Sequence, residues 1–440
     1  MTPAPRYERK TLILASLVIF LLAVGVRAAL VFAINPRLVP QRVEMDNIAI
    51  SVAKGQGFAN PFSTPTGPSA WYPPLYPLAL ALNYRWLGTE SVGELGKYSL
   101  TMIGVALGYA LLPSLAAAAN LPPGVGLTAA IFGALIPVHY WIEVRGNHVA
   151  WGAAFIVIQA LLFSRIWSCR GRFCPSKSCA CLGIASGIGA LVNPTVALVL
   201  MVWLVATLIV AGLSRAVVRC TCTALLLCLA ITTPWLWGNY RVFDAFVPLR
   251  SNLGLELWIS NNPIAQATYY ANEEAGVYRR YHPFTNIKER EQMRAMGEVA
   301  YCQSRLRLAL QWIRENPGRF AALTAQRIVL FWFTPALRPL QPVILWAITV
   351  LAWVGLWRSR TRHPLVFALV GSLWIGYPLL YYFVQVDMRY RYPIYWSFLL
   401  MAAYAVVSTS AGARLCERME MQLRRWESVV SSWQLRRRRS

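Results

Sequence analysis

The sequence predicts an all-α, polytopic transmembrane protein with about ten spans, each taking roughly 20 apolar residues. Three observations lead there. Of 440 residues, 57% are hydrophobic and 14% charged, against about 25% charged in an ordinary soluble protein. The apolar residues come in long blocks, such as Thr11 to Ile34 and Leu365 to Val384. The basic residues behind a formal charge of +24 cluster between those blocks: Arg6, Arg9 and Lys10; Arg165, Arg170, Arg172 and Lys177; Arg215 and Arg219; Arg358, Arg360 and Arg362; and the tail to Arg439. Short loops rich in Lys and Arg stay in the cytoplasm. The charge therefore describes a topology in the lipid bilayer, with both termini cytoplasmic, and no nucleic-acid partner is expected.

The first block exceeds the roughly 7 to 15 apolar residues of a cleaved signal peptide and reads as a retained span, Leu12 to Ile34. An outer loop, 35–93, follows. Further spans are expected near Leu95 to Ala117, Gly126 to Trp141 and Val149 to Trp167. Leu182 to Leu213 is too long for one crossing, and Lys177 and Arg215 on either side both belong in the cytoplasm, so the block must turn back on itself. Asn193-Pro194 is the expected break, because proline lacks an N–H and disfavours helix in the residue before it.

A seventh span near Val217 to Trp237 leads to one mostly helical outer domain, 238–338, which holds eight of the 18 acidic residues. Within it Lys288 to Ile313 reads as one helix, with Met293, Met296, Leu306 and Leu310 at helical spacing. Phe320 to Phe333 reads as an interfacial segment, and spans near Val343 to Trp357, Leu365 to Val384 and Tyr395 to Val407 complete the set. The organisation is thus a membrane module, 1–237, the outer domain, C-terminal spans, 339–411, and a cytoplasmic tail, 412–440. In the tail Leu415, Met419, Leu423, Trp426, Val430 and Trp433 recur at helical spacing among arginines, the pattern of an interfacial helix held on anionic lipid. Cys302 alone of the nine cysteines falls in the outer domain. Cys169, Cys174, Cys179 and Cys181 flank a cytoplasmic loop and are expected as free thiols rather than zinc ligands.

Glu44, Asp46, Glu90, Glu94, Glu143 and Asp387 all map to the outer face, so acid-base chemistry is expected in a cavity that opens outward. Val43 to Lys54 reads as a short helix whose wheel puts Glu44, Asn47, Ser51 and Lys54 on a polar arc and Asp46 among Met45, Ile48 and Ala49. Residues two apart do not share a face, so one of the two acids faces a substrate. The structural alternatives are a helix cap for Asp46 and a first-turn charge favourable to the helix dipole for Glu44.

Three segments carry a family resemblance: Glu44-Met45-Asp46-Asn47-Ile48-Ala49, Gly55-Gln56-Gly57-Phe58, and Trp71-Tyr72-Pro73-Pro74-Leu75-Tyr76-Pro77. In this order they resemble the first outer loop of the bacterial GT-C glycosyltransferases, relatives of protein O-mannosyltransferases and aminoarabinose transferases. Asn193-Pro194, Asn239-Tyr240-Arg241 and Arg389-Tyr390-Arg391-Tyr392-Pro393 extend the likeness. Many relatives carry an Asp-Glu pair where this chain has Gln41 and Arg42. The acid stands here at Glu44 or Asp46, with Glu44 favoured as the base and Asp46 as the alternative.

The resemblance implies an enzyme of the bacterial cytoplasmic membrane that takes a sugar from a polyprenyl-phosphate donor and passes it to an acceptor, whether lipid, glycan or protein, on the outer face. Glu44-x-Asp46 resembles the D-x-D metal pattern of some glycosyltransferases only faintly, and no cofactor and no required metal are expected. In an inverting transfer one carboxylate accepts the acceptor's proton while the carrier phosphate leaves, and arginines stabilise that phosphate. Arg389 and Arg391 are the first candidates for phosphate contact, beside Asp387 and Tyr390, and Arg145 is another. The alternative for Arg391 is an interface anchor. Trp71, Tyr72 and Tyr76 can stack on a sugar face, and Glu143 is a further substrate contact. His148 is expected to be structural, whereas Glu256, Asn261, Asn262 and His282 are candidate acceptor contacts. Two rival readings are a transporter or flippase of a lipid-linked substrate, disfavoured by the lack of repeats and of mid-span charges, and an inactive relative that serves as a binding subunit.

Overall fold

The computed structural model describes residues 9–168, 176–335 and 340–409. The first span, α1 (Arg9–Ile34), buries Ala15, Ile19, Ala23, Arg27 and Val31. These lie four residues apart, one stripe of a helix. Two helices occupy the outer loop, α2 (Glu44–Ala53) and α3 (Leu75–Leu87). By sequence, Pro73, Pro74 and Pro77 restrict the backbone to an extended approach into the next segment. Pro77 instead sits in the first turn of α3, where backbone N–H groups have no intrahelical partner and proline loses nothing.

The next stretch runs as α4 (Ser91–Ala110) and α5 (Leu112–Ala118), with Pro113 at the joint. It is followed by α6 (Pro123–Leu135), the single turn α7 (Tyr140–Glu143) and α8 (Val149–Ser168). The expected hairpin is present as α9 (Ser176–Ala190) and α10 (Thr195–Ala211), parted at Asn193-Pro194. Asn193 helps to start α10, its Oδ1 accepting from the Thr195 N–H at 3.1 Å. The long α11 (Arg215–Phe243) begins on Ser214, whose Oγ accepts from the Val217 N–H.

The segment expected as the outer domain contains α12 (Leu253–Ser260), α13 (Tyr269–Glu274), α14 (Val277–Tyr281), α15 (Ile287–Met296), α16 (Glu298–Glu315) and α17 (Pro317–Trp332). The single helix expected over Lys288 to Ile313 is thus two. Gly297, at φ +81°, takes a left-handed conformation that breaks it. The break resets the helical phase: Tyr301, Arg305, Ala309 and Trp312 form the buried stripe of α16, while Met296 and Leu310 are exposed. The chain then re-enters the bundle through α18 (Leu340–Arg362) and α19 (Pro364–Gly376), makes the short turn α20 (Met388–Arg391), and ends its described part with α21 (Tyr395–Val407).

Six helical stretches among the described residues are long and apolar enough to cross a bilayer. The other four expected crossings correspond to α6, α9, α10 and α21, which have 13, 15, 17 and 13 residues. These fall short of the usual membrane-spanning length. The outer loop and the outer domain share one core, since Ile48, Phe62 and Trp71 pack with Leu255, Trp258, Ile259, Met293, Tyr301 and Leu323. They therefore sit on the same side of the bundle. Cys179 and Cys220 are bridged between α9 and α11, with Cα atoms 5.4 Å apart. This replaces the free thiol expected at Cys179 and follows from the close packing of those two helices. Cys181 is free; Cys169, Cys174 and the amphipathic tail lie outside the described residues.

Candidate active site

Glu44 is the first residue of α2, one turn before Ile48. Ile48 packs into the same core as Leu255 and Ile259, which draws α12 alongside the start of α2 and places Glu256 near Glu44. One turn beyond Glu256, the Ser260 hydroxyl accepts from the Gln385 N–H at 2.8 Å. The Val386 N–H donates to Ala267 O at 2.8 Å, and the Tyr269 N–H donates to Val386 O at 3.0 Å. These bonds fix the segment carrying Asp387 and Arg389 beside α12. From the other direction, Arg250 Nε donates to Trp71 O at 2.9 Å, and its guanidinium lies 4.7 Å above the Tyr72 ring.

Five stretches of chain thus bring Glu44, Tyr72, Arg250, Glu256 and the Asp387–Arg389 pair into one cluster whose charges act on one another, and each of these residues is only half-buried. The G-x-G-F motif makes the turn that leads from α2 back to this region. Gly55 and Gly57 have φ of +78° and +73°, conformations that other residues rarely adopt.

Burial raises the Glu44 carboxyl above the ordinary carboxylate range; Arg389 and Arg250 oppose the shift and Glu256 adds to it. Glu256 is raised in the same way by burial, against the pull of Arg250 and Arg389. The Arg389 guanidinium is held charged, first by Asp387, whose Oδ2 accepts from its Nε at 2.9 Å. Tyr72 is kept neutral by burial. His148 is lowered to about 3 by burial and by the two arginines, so it is a neutral imidazole, packed edge-on against Tyr72 with ring centres 5.4 Å apart. Its buried Nδ1 has no hydrogen-bond partner among the described residues. His282 is likewise lowered to about 3 and packs against Trp71 and Phe62.

The structure sends other expected site residues elsewhere. Asp46 is 1% exposed; it accepts from the Val43 N–H at 2.8 Å and the Tyr84 hydroxyl at 2.6 Å, and it lies 3.4 Å from Lys97 Nζ. Glu143 is fully buried against Arg27 of α1, 2.8 Å away, and accepts from the hydroxyls of Tyr109 and Tyr392 at 2.8 and 3.0 Å. Arg27 corrects the expectation that no ionisable group lies within a span. Its charge is accommodated because Glu143 and the carbonyls of Gly133 and Ala134 satisfy it.

Arg391 is 2% exposed, donates to Trp332 O at 2.7 Å and to the Thr349 hydroxyl, and lies over Phe398. It points into the bundle, two residues and so a little over half a helical turn away from the direction of Arg389. Arg145 stacks on Trp141 at 3.0 Å. Trp71 is buried in the outer core, and Tyr76 is buried with its hydroxyl 3.0 Å from that of Thr101. Tyr390 stacks on Tyr381 with ring centres 4.6 Å apart and remains half-buried near Arg389. Arg250 was not singled out in the sequence. The one available signal is that it is the only basic residue between Arg241 and Arg279. Among the described residues no three His, Cys, Asp or Glu side chains converge where they could hold a metal ion.

No family model and no curated protein sequence matches the chain. Solved structures do. The apo oligosaccharyltransferase of Archaeoglobus fulgidus superposes with a TM-score of 0.57 at 13% identity, over 94% of this chain and 52% of that one. The same archaeal enzyme, AglB, in complex with an inhibitory peptide and a dolichol-phosphate gives 0.58 at 14% identity, over 92% and 52%. The chain has the GT-C fold. It spans about half the length of these oligosaccharyltransferase structures. ArnT of Cupriavidus metallidurans bound to undecaprenyl phosphate superposes less well, at 0.40 and 15% identity over 90% and 77%. With six helical stretches long and apolar enough to cross a bilayer among the described residues, the fold is that of a multi-pass membrane protein.

Proposed function

We propose that this chain is a membrane glycosyltransferase that moves a sugar from polyprenyl phosphate to a hydroxyl-bearing acceptor, with Glu44 as base and Arg250 and Arg389 as the phosphate contacts. The observation that carries the reading is that Glu44 and Arg250, both half-buried, lie near enough for the arginine to act on the carboxyl. Among the described residues neither has an opposite charge within ion-pair distance, so both remain available to a ligand. Arg250 is anchored through Nε alone, which leaves its terminal nitrogens to grip a phosphate.

The acceptor hydroxyl gives its proton to Glu44 as its oxygen bonds to the anomeric carbon. The bond from that carbon to the phosphate oxygen breaks, and polyprenyl phosphate departs as an anion toward Arg250 and Arg389. No acid is needed for a leaving group that is already a stable anion. The raised carboxyl of Glu44 makes it a stronger base than an exposed one. In this reading Arg391 and Asp46 hold the scaffold. The site faces the outside of the bacterial cytoplasmic membrane, with both termini inside.

The test is purified protein in nanodiscs, given a panel of labelled undecaprenyl-phosphate sugars and assayed for release of the carrier. Turnover that Glu44→Gln abolishes supports the reading. Binding of undecaprenyl phosphate that is indifferent to Arg250→Ala would overturn it.

A further inference from the structure

The proposed transfer uses one carboxylate, yet a second, Glu256, belongs to the same half-buried cluster. Base duty falls to Glu44, and the phosphate leaves without an acid. Glu256 Oε1 accepts from the Asn252 side chain at 3.3 Å, and among the described residues no cation stands within ion-pair distance of it. A carboxylate has about four lone-pair directions. Most of those on Glu256 are therefore unfilled by protein.

Its position is set by the scaffold. The backbone carbonyl of Glu256 accepts from the Ser260 hydroxyl at 2.7 Å, and that same hydroxyl accepts from the Gln385 N–H. Glu256 is thereby held next to the segment that presents Arg389, and Arg250 lies just before α12 in the chain. Both arginines favour its charged form and Asp387 opposes it, while the Glu256 charge in turn helps to keep the phenols of Tyr278 and Tyr390 neutral.

We propose that Glu256 selects the transferred sugar by accepting hydrogen bonds from hydroxyls on its ring. The assignment rests on the glycosyltransferase reading. A sugar bonded directly to the phosphate must lie beside the groups that hold the phosphate, and Glu256 is the acceptor found there. The half-buried Tyr390 ring offers an apolar face to the sugar's C–H groups. Sites built to hydrogen-bond a substrate hydroxyl reject the analogue lacking it strongly, because their own polar groups are left unpaired.

Equilibrium binding by the full chain in nanodiscs tests this, with undecaprenyl phosphate alone and with its glucose, mannose and galactose derivatives as probes. The wild type should favour at least one sugar derivative over the bare carrier and over its epimers by about tenfold or more. Glu256→Ala should bring all four probes to one common affinity, no weaker than that of the wild type for the bare carrier, since the loss of a carboxylate beside Arg250 and Arg389 does not weaken their hold on a phosphate. Glu256→Gln, which keeps one acceptor and the same shape, should retain part of the preference and guards against misfolding of the alanine variant. A preference that survives in Glu256→Ala overturns the assignment, as does a wild type with no preference. Donor binding unchanged with a raised KM for acceptor alone also overturns it, moving Glu256 to the acceptor. If the wild type does not bind the bare carrier at all, the phosphate reading itself has failed.

Discussion

The Asp46 carboxylate lies 3.4 Å from the Lys97 ammonium, and both side chains are almost wholly buried. Lys97 also reaches Glu94 at 2.9 Å and Gln41 O at 2.8 Å, while Glu94 accepts from the Gln41 N–H at 3.2 Å. This network fastens the chain just ahead of α2 and so fixes the place of Glu44.

Loss of Lys97 should therefore unfold what loss of Glu44 leaves intact. Lys97→Met leaves two carboxylates uncompensated and should cost about 3 to 5 kcal/mol, read as a fall in the detergent-solubilised unfolding midpoint. Asp46→Asn should cost less, since Glu94 still neutralises Lys97. Its remaining transfer rate per folded molecule should stay within a few-fold of wild type, and a dead but fully folded Asp46→Asn would show that Asp46 is the base.

Glu44→Gln should lower the transfer rate by about a hundredfold to ten-thousandfold with no loss of stability. The base works only when ionised, and burial raises its pKa above the ordinary value. The rate should thus fall as pH drops through a value above about 4.3, and that acid limb should vanish in Glu44→Gln. The stability effect has the opposite direction. A raised carboxyl binds its proton more tightly when folded, so its contribution is complete below the unfolded pKa and is lost as pH rises through the folded one.

Arg250→Ala should weaken carrier binding and slow transfer by roughly a hundredfold, about 2.7 kcal/mol of barrier. Arg250→Lys should recover little, since an ammonium cannot make the paired contacts of a guanidinium. Arg391 should behave differently. Arg391→Met leaves Trp332 O with only the longer 3.4 Å hydrogen bond from the Thr349 hydroxyl and should cost about 1 to 3 kcal/mol of stability, with carrier affinity unchanged in the folded fraction. Binding isotherms and unfolding midpoints measured on the same samples separate the two arginines.

Glu143→Gln should leave Arg27 charged within the bundle and lower stability by about 3 to 5 kcal/mol. A combined Arg27→Met and Glu143→Gln variant should recover part of that loss, because it removes the unpaired charge as well. Additive losses in the double variant would contradict a direct pairing.

For topology, a single thiol placed at Ser63 in a cysteine-free background should react with an impermeant reagent in intact cells, and one at Thr361 should not. Both positions are exposed, whereas the neighbouring Ser359 is buried and would stay unlabelled on either side. The reverse pattern would invert the assignment of sides.

Much of the fold was legible because membrane helices announce themselves locally. An apolar run of sufficient length must be helical to satisfy its backbone in lipid, so α1, α8, α18 and the break at Asn193-Pro194 could be placed from residue order alone. The failures were equally local in origin. One glycine, Gly297, divided a helix whose side chains alone looked continuous, and Arg27 was hidden by the apolar residues on both sides of it.

The sequence by itself determined that the chain is helical and that it belongs in a bilayer, and it pointed to candidate residues in the loops after α1 and before α21 while passing over Arg250 ahead of α12. It also limited the acid of the first loop to Glu44 and Asp46. It could not say which faces a substrate, because helical periodicity gives the angle between two side chains and not what stands opposite each. That depends on contacts between residues far apart in the chain. Lys97 and Tyr84 draw Asp46 inward, α12 and Arg250 arrive beside Glu44, and Thr349 with Trp332 takes Arg391 away from Arg389. Such pairings are decided by which surfaces the packed helices bring together, and only the tertiary structure shows them.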